Sequence, residues 1–86
     1  MGDTSIESKK SDLIHVTEDP DFQRTVYQYA YKLAGNAPDA ESYVQEALAR
    51  FILEVNNKTS LNELERMRPL PYISTILKGI HANKTR

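Results

Sequence analysis

Residues that could catalyse a reaction or bind a metal are few in this chain of 86 residues. The absence of cysteine excludes thiol catalysis and cysteine-ligated zinc. His15 and His81 lie far apart in sequence without an evident carboxylate partner, so we interpret both as surface histidines. No glycine-rich phosphate loop and no HExxH pattern occurs. We therefore expect a protein that is not an enzyme and that uses no metal or cofactor.

The charged side chains are divided unevenly along the chain. Residues 1–65 contain six basic and all twelve acidic side chains, a net charge of −6, whereas residues 66–86 contain five basic side chains and no acid, a net charge of +5. Such a division suggests two partner surfaces, and a polyanion such as nucleic acid is one candidate for the basic end. Ordinary uneven surface charge, together with the preference of helix C-termini for basic residues, is the alternative.

The charged and polar side chains are expected to lie on helices. Apolar residues make up 40% of the chain and recur at helical spacing, and no segment alternates as a strand would. The length suits one domain. We predict an all-α fold, a small bundle of three main helices over residues 21–34, 38–55 and 71–84, with a short helical turn within 61–68. Residues 1–20 are polar and are predicted to form a flexible N-terminal leader, which leaves residues 21–86 as the helical domain.

The second predicted helix has the clearest pattern. Its apolar residues repeat at intervals of three and four, while Glu41 and Gln45 share the opposite face. Glu46 and Arg50 are spaced to form an ion pair. Asn36 or Asp39 is expected to cap this helix. The apolar positions are Ala40, Tyr43, Val44, Ala47, Leu48, Phe51, Ile52 and Val55.

Nothing in the sequence indicates a membrane protein. No apolar run approaches the roughly 20 residues that span a bilayer. Residues 1–10 lack the apolar centre of a signal peptide. We therefore expect a cytoplasmic location.

Two stretches carry a family resemblance. Gly35-Asn36 is followed by residues 39–46, which read DAESYVQE, and residues 71–86 read PYISTILKGIHANKTR. Together these stretches resemble region 2 of the bacterial sigma-70 family, especially the extracytoplasmic-function type, over residues 22–86. The resemblance implies a sigma region 2-like fold and a role in transcription initiation.

One implied surface binds RNA polymerase. In the family, the second helix docks on the clamp-helix coiled coil of the polymerase β′ subunit through its polar face. Gln45 and Glu46 match the family's Gln-Glu pair, and Asp39 and Glu41 match preceding acids. Ser42 stands where the family usually has an acid. These five residues are the candidate polymerase-binding set.

The other implied surface contacts the −10 promoter element, which the family melts while capturing bases of the non-template strand. Lys78 and Asn83 match polar positions of the promoter-reading helix, whereas Gly79 replaces an asparagine and Tyr72 a tryptophan. We favour a place in the core for Tyr72. The candidate DNA-binding residues are Arg66, Arg68, Lys78, Asn83, Lys84 and Arg86.

Alternatives remain open. A sigma-like domain could bind a regulator such as an anti-sigma factor without reading DNA, and the departures at Ser42 and Gly79 favour that interpretation. A replication-type module that binds single-stranded DNA is a further alternative, suggested by Tyr72 and Ile73 with the apolar pair after them. In the sigma interpretation, recognition of the −35 element would come from a further domain or from a partner subunit.

Overall fold

The computed structural model describes residues 2–84, and these form an all-α bundle of five helices. The helices are α1 (Gly2–Val16), α2 (Pro20–Ala34), α3 (Ala37–Asn57), α4 (Leu61–Arg66) and α5 (Pro69–Lys84). The all-α prediction is confirmed, and the three predicted main helices correspond to α2, α3 and α5. No described helix is long and apolar enough to cross a membrane.

Local signals set the ends of these helices. The Asp19 side chain accepts a hydrogen bond from the Asp21 backbone at the start of α2. Gly35 ends α2 in the left-handed conformation with φ 85°, which glycine adopts without steric cost. Asn36 caps α3, because its Oδ1 accepts from the Asp39 backbone N–H at 3.0 Å. α5 begins earlier than predicted, since Pro69 and Pro71 both fit the first turn, where no backbone N–H is needed.

The expected flexible leader is instead a helix. α1 packs against α3 and α4, and Leu13 is only 4% exposed. Lys10 Nζ donates to the Asn56 carbonyl at 3.0 Å, and Gln23 of α2 donates to the Thr17 carbonyl at 2.7 Å. The physical reason is that a few apolar side chains in a polar segment suffice for a helix once a neighbouring surface buries them.

The core lies between α2, α3 and α5, with contributions from α1 and α4. Phe51 of α3 is fully buried and meets the Tyr72 ring edge-on, at 5.8 Å between ring centroids. The predicted apolar face of α5 is confirmed for Ile73, Leu77 and Ile80, which are each 1% exposed, while Ile76 is half-buried. α3 therefore has one side fully occupied by the core, which determines the side that it presents outward.

Candidate functional site

α3 presents the predicted polymerase-binding residues on its outer side. The side chains of Glu41, Ser42 and Gln45 are exposed, and Asp39 is exposed one turn earlier. The opposite side is buried through Ala40, Tyr43, Ala47, Phe51 and Val55. Because α3 is one uninterrupted helix of 21 residues, its periodicity holds Glu41 and Gln45 in one polar row, with Ser42 beside them on the same outer side.

Two members of this set are already engaged within α3. Glu46 is about one-third exposed and accepts a charge-assisted hydrogen bond from Arg50 at 2.7 Å, which confirms the predicted pair. Asp39 Oδ2 accepts from the Asn36 side chain at 3.0 Å, as part of the cap of α3. Glu41 and Gln45 are therefore the side chains best placed to bind a partner, and Glu46 would first have to leave Arg50.

The predicted DNA-binding residues are divided among separate places. Arg66 and Arg68 lie together, lining a shallow groove with Pro71, Tyr72 and Thr75. Lys84, at the far end of α5, lies about 24 Å along the helix axis from the position of Arg68. Arg66, Arg68, Lys78, Asn83 and Lys84 are all exposed, whereas Arg86 lies outside the described residues.

Lys78 belongs to the edge of α5 that faces α2. Beside it, α2 and α5 enclose an apolar groove of about 270 Å³ that includes Tyr29, Leu70 and Ser74. The Ser74 hydroxyl, and to a lesser extent the Lys78 ammonium group, stabilises the Tyr29 phenolate and lowers the pKa of Tyr29. The structure therefore brings Arg66 and Arg68 together and places Lys78 apart from them.

Tyr72 joins α5 to α3 and also borders the two arginines. Its hydroxyl donates to Glu54 Oε1 at 3.1 Å, and its half-buried ring packs against the core, as expected from the sequence. Burial, and secondly the hydrogen bond to Glu54, raises the pKa of Tyr72. One side of the ring lines the groove with Arg66 and Arg68, so an aromatic side chain lies beside two cations.

His81 occupies a different position from the one predicted. It is half-buried, and its Nδ1 lies 3.1 Å from the Tyr43 hydroxyl in a hydrogen bond that links α5 to α3. The interpretation of His81 as a surface histidine is therefore wrong. The sequence contained one usable signal, since His81 lies four residues after the buried Leu77 and so shares its side of α5, but its partner is 38 residues away.

The described residues form two polar surfaces. Among residues 2–84 no cluster of histidine and carboxylate side chains could hold a metal ion. What the described chain offers is a polar row on α3 and a basic, aromatic groove where α4 meets α5.

Comparison of the chain with protein-family models, curated proteins and solved structures finds no match. The resemblance to sigma region 2 therefore stays a prediction based on sequence pattern, and the contacts described above must support any functional conclusion.

Proposed function

We propose that this protein is a sigma region 2-type domain that docks on the β′ coiled coil of core RNA polymerase and contacts and helps to melt the −10 promoter element. The supporting observation is the division of α3, whose apolar side is buried while Glu41, Ser42 and Gln45 remain exposed together on the outer side. A partner can reach this row without any change in the core.

The chemistry of the row favours a basic helical partner. Glu41 offers a carboxylate and Gln45 an amide, and both accept hydrogen bonds from arginine or lysine. Charge-assisted hydrogen bonds of this kind are about twice as strong as neutral ones. Ser42 has a short side chain and lets the partner helix come close. Glu46 joins the contact when the partner displaces Arg50.

The groove formed by Arg66, Arg68 and Tyr72 is the proposed DNA-binding surface. Cations follow the phosphates of a single strand, while an aromatic face can stack on an unstacked base. This combination suits the melted non-template strand of the −10 element. Lys78, Asn83 and Lys84 lie farther along α5 and would contact phosphates farther along the strand.

In this proposal the protein is not an enzyme and acts in the cytoplasm of a bacterium. It contributes binding energy to promoter opening, and the polymerase carries out the chemistry. A partner subunit or a further domain supplies recognition of the −35 element.

A protein–protein module that binds a regulator, such as an anti-sigma factor, without reading DNA is the second candidate. The position of Lys78 beside Tyr29, apart from the two arginines, favours it. Glycine at position 79 also removes a polar side chain from the exposed surface of α5, although a Cβ there would meet nothing within 4 Å. Gly79→Asn therefore fits the structure. It should strengthen binding to −10 single strands if α5 reads DNA, and should leave binding unchanged if it does not.

The docking proposal is tested by titrating the 86-residue chain with the β′ clamp-helix coiled coil. The double variant Glu41→Gln with Gln45→Ala should reduce affinity about tenfold or more, because both side chains are exposed and belong to the proposed contact. The matched control is Glu7→Gln with Gln28→Ala, which changes the same residue types at exposed positions on α1 and α2.

Equal affinity of the double variant and its control would contradict the docking assignment. Binding to single-stranded DNA without any binding to the coiled coil would instead favour the replication-type module.

A further inference from the structure

We propose that α3 carries an apolar contact next to its polar row, formed by Ala49 and Leu53, and that this contact binds an apolar side chain of the same partner helix that meets Glu41 and Gln45. The inference rests on the proposed function and extends it. It adds two binding residues and specifies the chemistry of the partner helix.

Leu53 is an exposed apolar side chain on α3. It is 59% exposed, more than Tyr31 at 46% or Leu70 at 45%, the other large apolar side chains on the described surface. A single exposed leucine is ordinary in a soluble protein. Its position on α3 is what makes Leu53 informative.

Leu53 continues the polar row. Glu41, Gln45, Ala49 and Leu53 follow one another at intervals of four residues, which places them along one ridge of the helix. We call the strip formed by this ridge and the adjoining Ser42 the seam. A ridge of residues four apart is what packs into the groove of a second helix.

The side chains along this seam differ in size and polarity. Ser42 and Ala49 are small and exposed, so a partner backbone can approach closely there. Leu53 also forms part of a groove between α3 and α5, with Tyr72 and Ile76 beside it and Arg50 and Glu54 at its edge. An apolar side chain from the partner can be buried against Leu53, Tyr72 and Ile76.

These positions define the partner. Gln45 and Leu53 are eight residues apart, about 12 Å along the axis. The partner helix therefore needs a basic side chain opposite Glu41 and Gln45 and an apolar side chain about two turns away, opposite Leu53. The contact on α3 therefore has a polar end at Glu41 and an apolar end at Leu53.

A second copy of this chain is a poor partner for the outer side of α3. Antiparallel pairing of two α3 helices would place Leu53 of each copy near Glu41 of the other, and parallel pairing would bring like carboxylates together. The polar half of the seam requires a partner with basic residues, and the proposed clamp helix of β′ is such a partner.

The test measures affinity of the full chain for core RNA polymerase and for the isolated β′ coiled coil. Leu53→Ala should reduce both affinities about tenfold, the effect typical of a buried interface anchor. Leu70→Ala, the matched control, should change neither, because Leu70 is similarly exposed on α5 at the groove between α2 and α5. Helical content, measured by circular dichroism, should be the same in both variants.

Ala49 supplies a second, steric test. Ala49→Gln should reduce affinity about tenfold by filling the seam, whereas Ala49→Ser keeps the side chain small and should bind as the natural chain does. Binding that is sensitive to Glu41 and Gln45 but unaffected by Leu53→Ala and Ala49→Gln would overturn this inference and leave the proposed function intact. Absence of any binding by the natural chain would overturn both, and self-association that is lost in Leu53→Ala would identify a second copy as the occupant.

Discussion

The outer face of α3 and the basic end of the molecule are built differently. The proposed docking residues lie on one helix, where periodicity alone keeps Glu41, Ser42 and Gln45 together. The proposed DNA-binding residues come from α4, the linker after it and several turns of α5, and only Arg66 and Arg68 share a groove. The contrast shows that spacing along one helix predicts which side chains share a face, whereas a surface assembled from several elements depends on how those elements pack.

Loss of a core side chain should disrupt both surfaces at once, because both depend on the folded bundle. Phe51→Ala should lower the free energy of unfolding by about 3–5 kcal/mol, because Phe51 is fully buried and packs on Tyr72. That loss is a large part of the stability of a small domain. Urea denaturation followed by circular dichroism measures it. Leu53→Ala, two residues away on the exposed side, should change the same free energy by no more than about 0.5 kcal/mol, and a similar loss in both variants would contradict the orientation of α3.

Substitutions at the basic end should weaken DNA binding without affecting the docking surface. Arg66→Ala with Arg68→Ala should weaken binding to −10 single-stranded DNA about tenfold at low salt and reduce the slope of log K against log salt by about 1.4, since each phosphate contact contributes about 0.7. Binding to the β′ coiled coil should not change. The control is Arg24→Ala with Lys32→Ala, which removes the same charge from exposed positions on α2.

Lys78→Ala sharpens this test, because Lys78 lies apart from the arginine groove. We expect it to lower the salt slope less than the double arginine variant does. An equal or larger effect of Lys78→Ala would show that α5, and not the arginine groove, carries most of the DNA contact.

The pKa values of two tyrosines are shifted in opposite directions, Tyr72 beside an acid and Tyr29 beside a base. The pKa of Tyr72 is raised above the ordinary 10.0 by burial and by Glu54, so the neutral phenol is favoured in the folded state. The unfolded chain therefore loses this proton at a lower pH than the folded chain does. The stability that neutral Tyr72 contributes is fully present below pH 10, and it is lost as the pH rises from about 10 through the folded pKa. The pKa of Tyr29 is lowered instead, by Ser74 and Lys78.

Absorbance of the phenolate during alkaline titration should separate the two tyrosines. Tyr29→Phe should remove an early-ionising tyrosine and Tyr72→Phe a late one. Tyr72→Phe should also cost about 1 kcal/mol of stability at neutral pH, through loss of the hydrogen bond to Glu54, and should make the decline in stability above pH 10 smaller. Ionisation of Tyr72 before Tyr29 would contradict the assigned environments.

The smallest expected effect concerns Glu46 on α3. Arg50→Ala should tighten binding to the β′ coiled coil about twofold, because it releases Glu46 from an exposed ion pair worth about 0.3–0.5 kcal/mol. Arg50→Lys should keep the pair and bind as the natural chain does. Weaker binding of Arg50→Ala would mean that Arg50 itself contacts the partner.

Much of the fold could be predicted, because the signals that carry it are local. The bounds of α2 and α3 follow from capping at Asp19 and Asn36 and from the left-handed Gly35, each of which acts within a few residues. α1 could not be predicted in this way. Its apolar residues are too few to indicate a helix until α3 and α4 provide a surface that buries Leu13.

The all-α class and the side of α3 that faces the core follow from the order of residues alone, because helical periodicity places residues three and four apart on one face. The order of residues also determined that Glu41 and Gln45 point outward together. Only the tertiary structure decided that His81 bonds to Tyr43, that Lys78 lies beside Tyr29 and that Arg66 and Arg68 flank Tyr72. These pairs join different helices, and their distances depend on how the helices pack, which no spacing along the chain specifies.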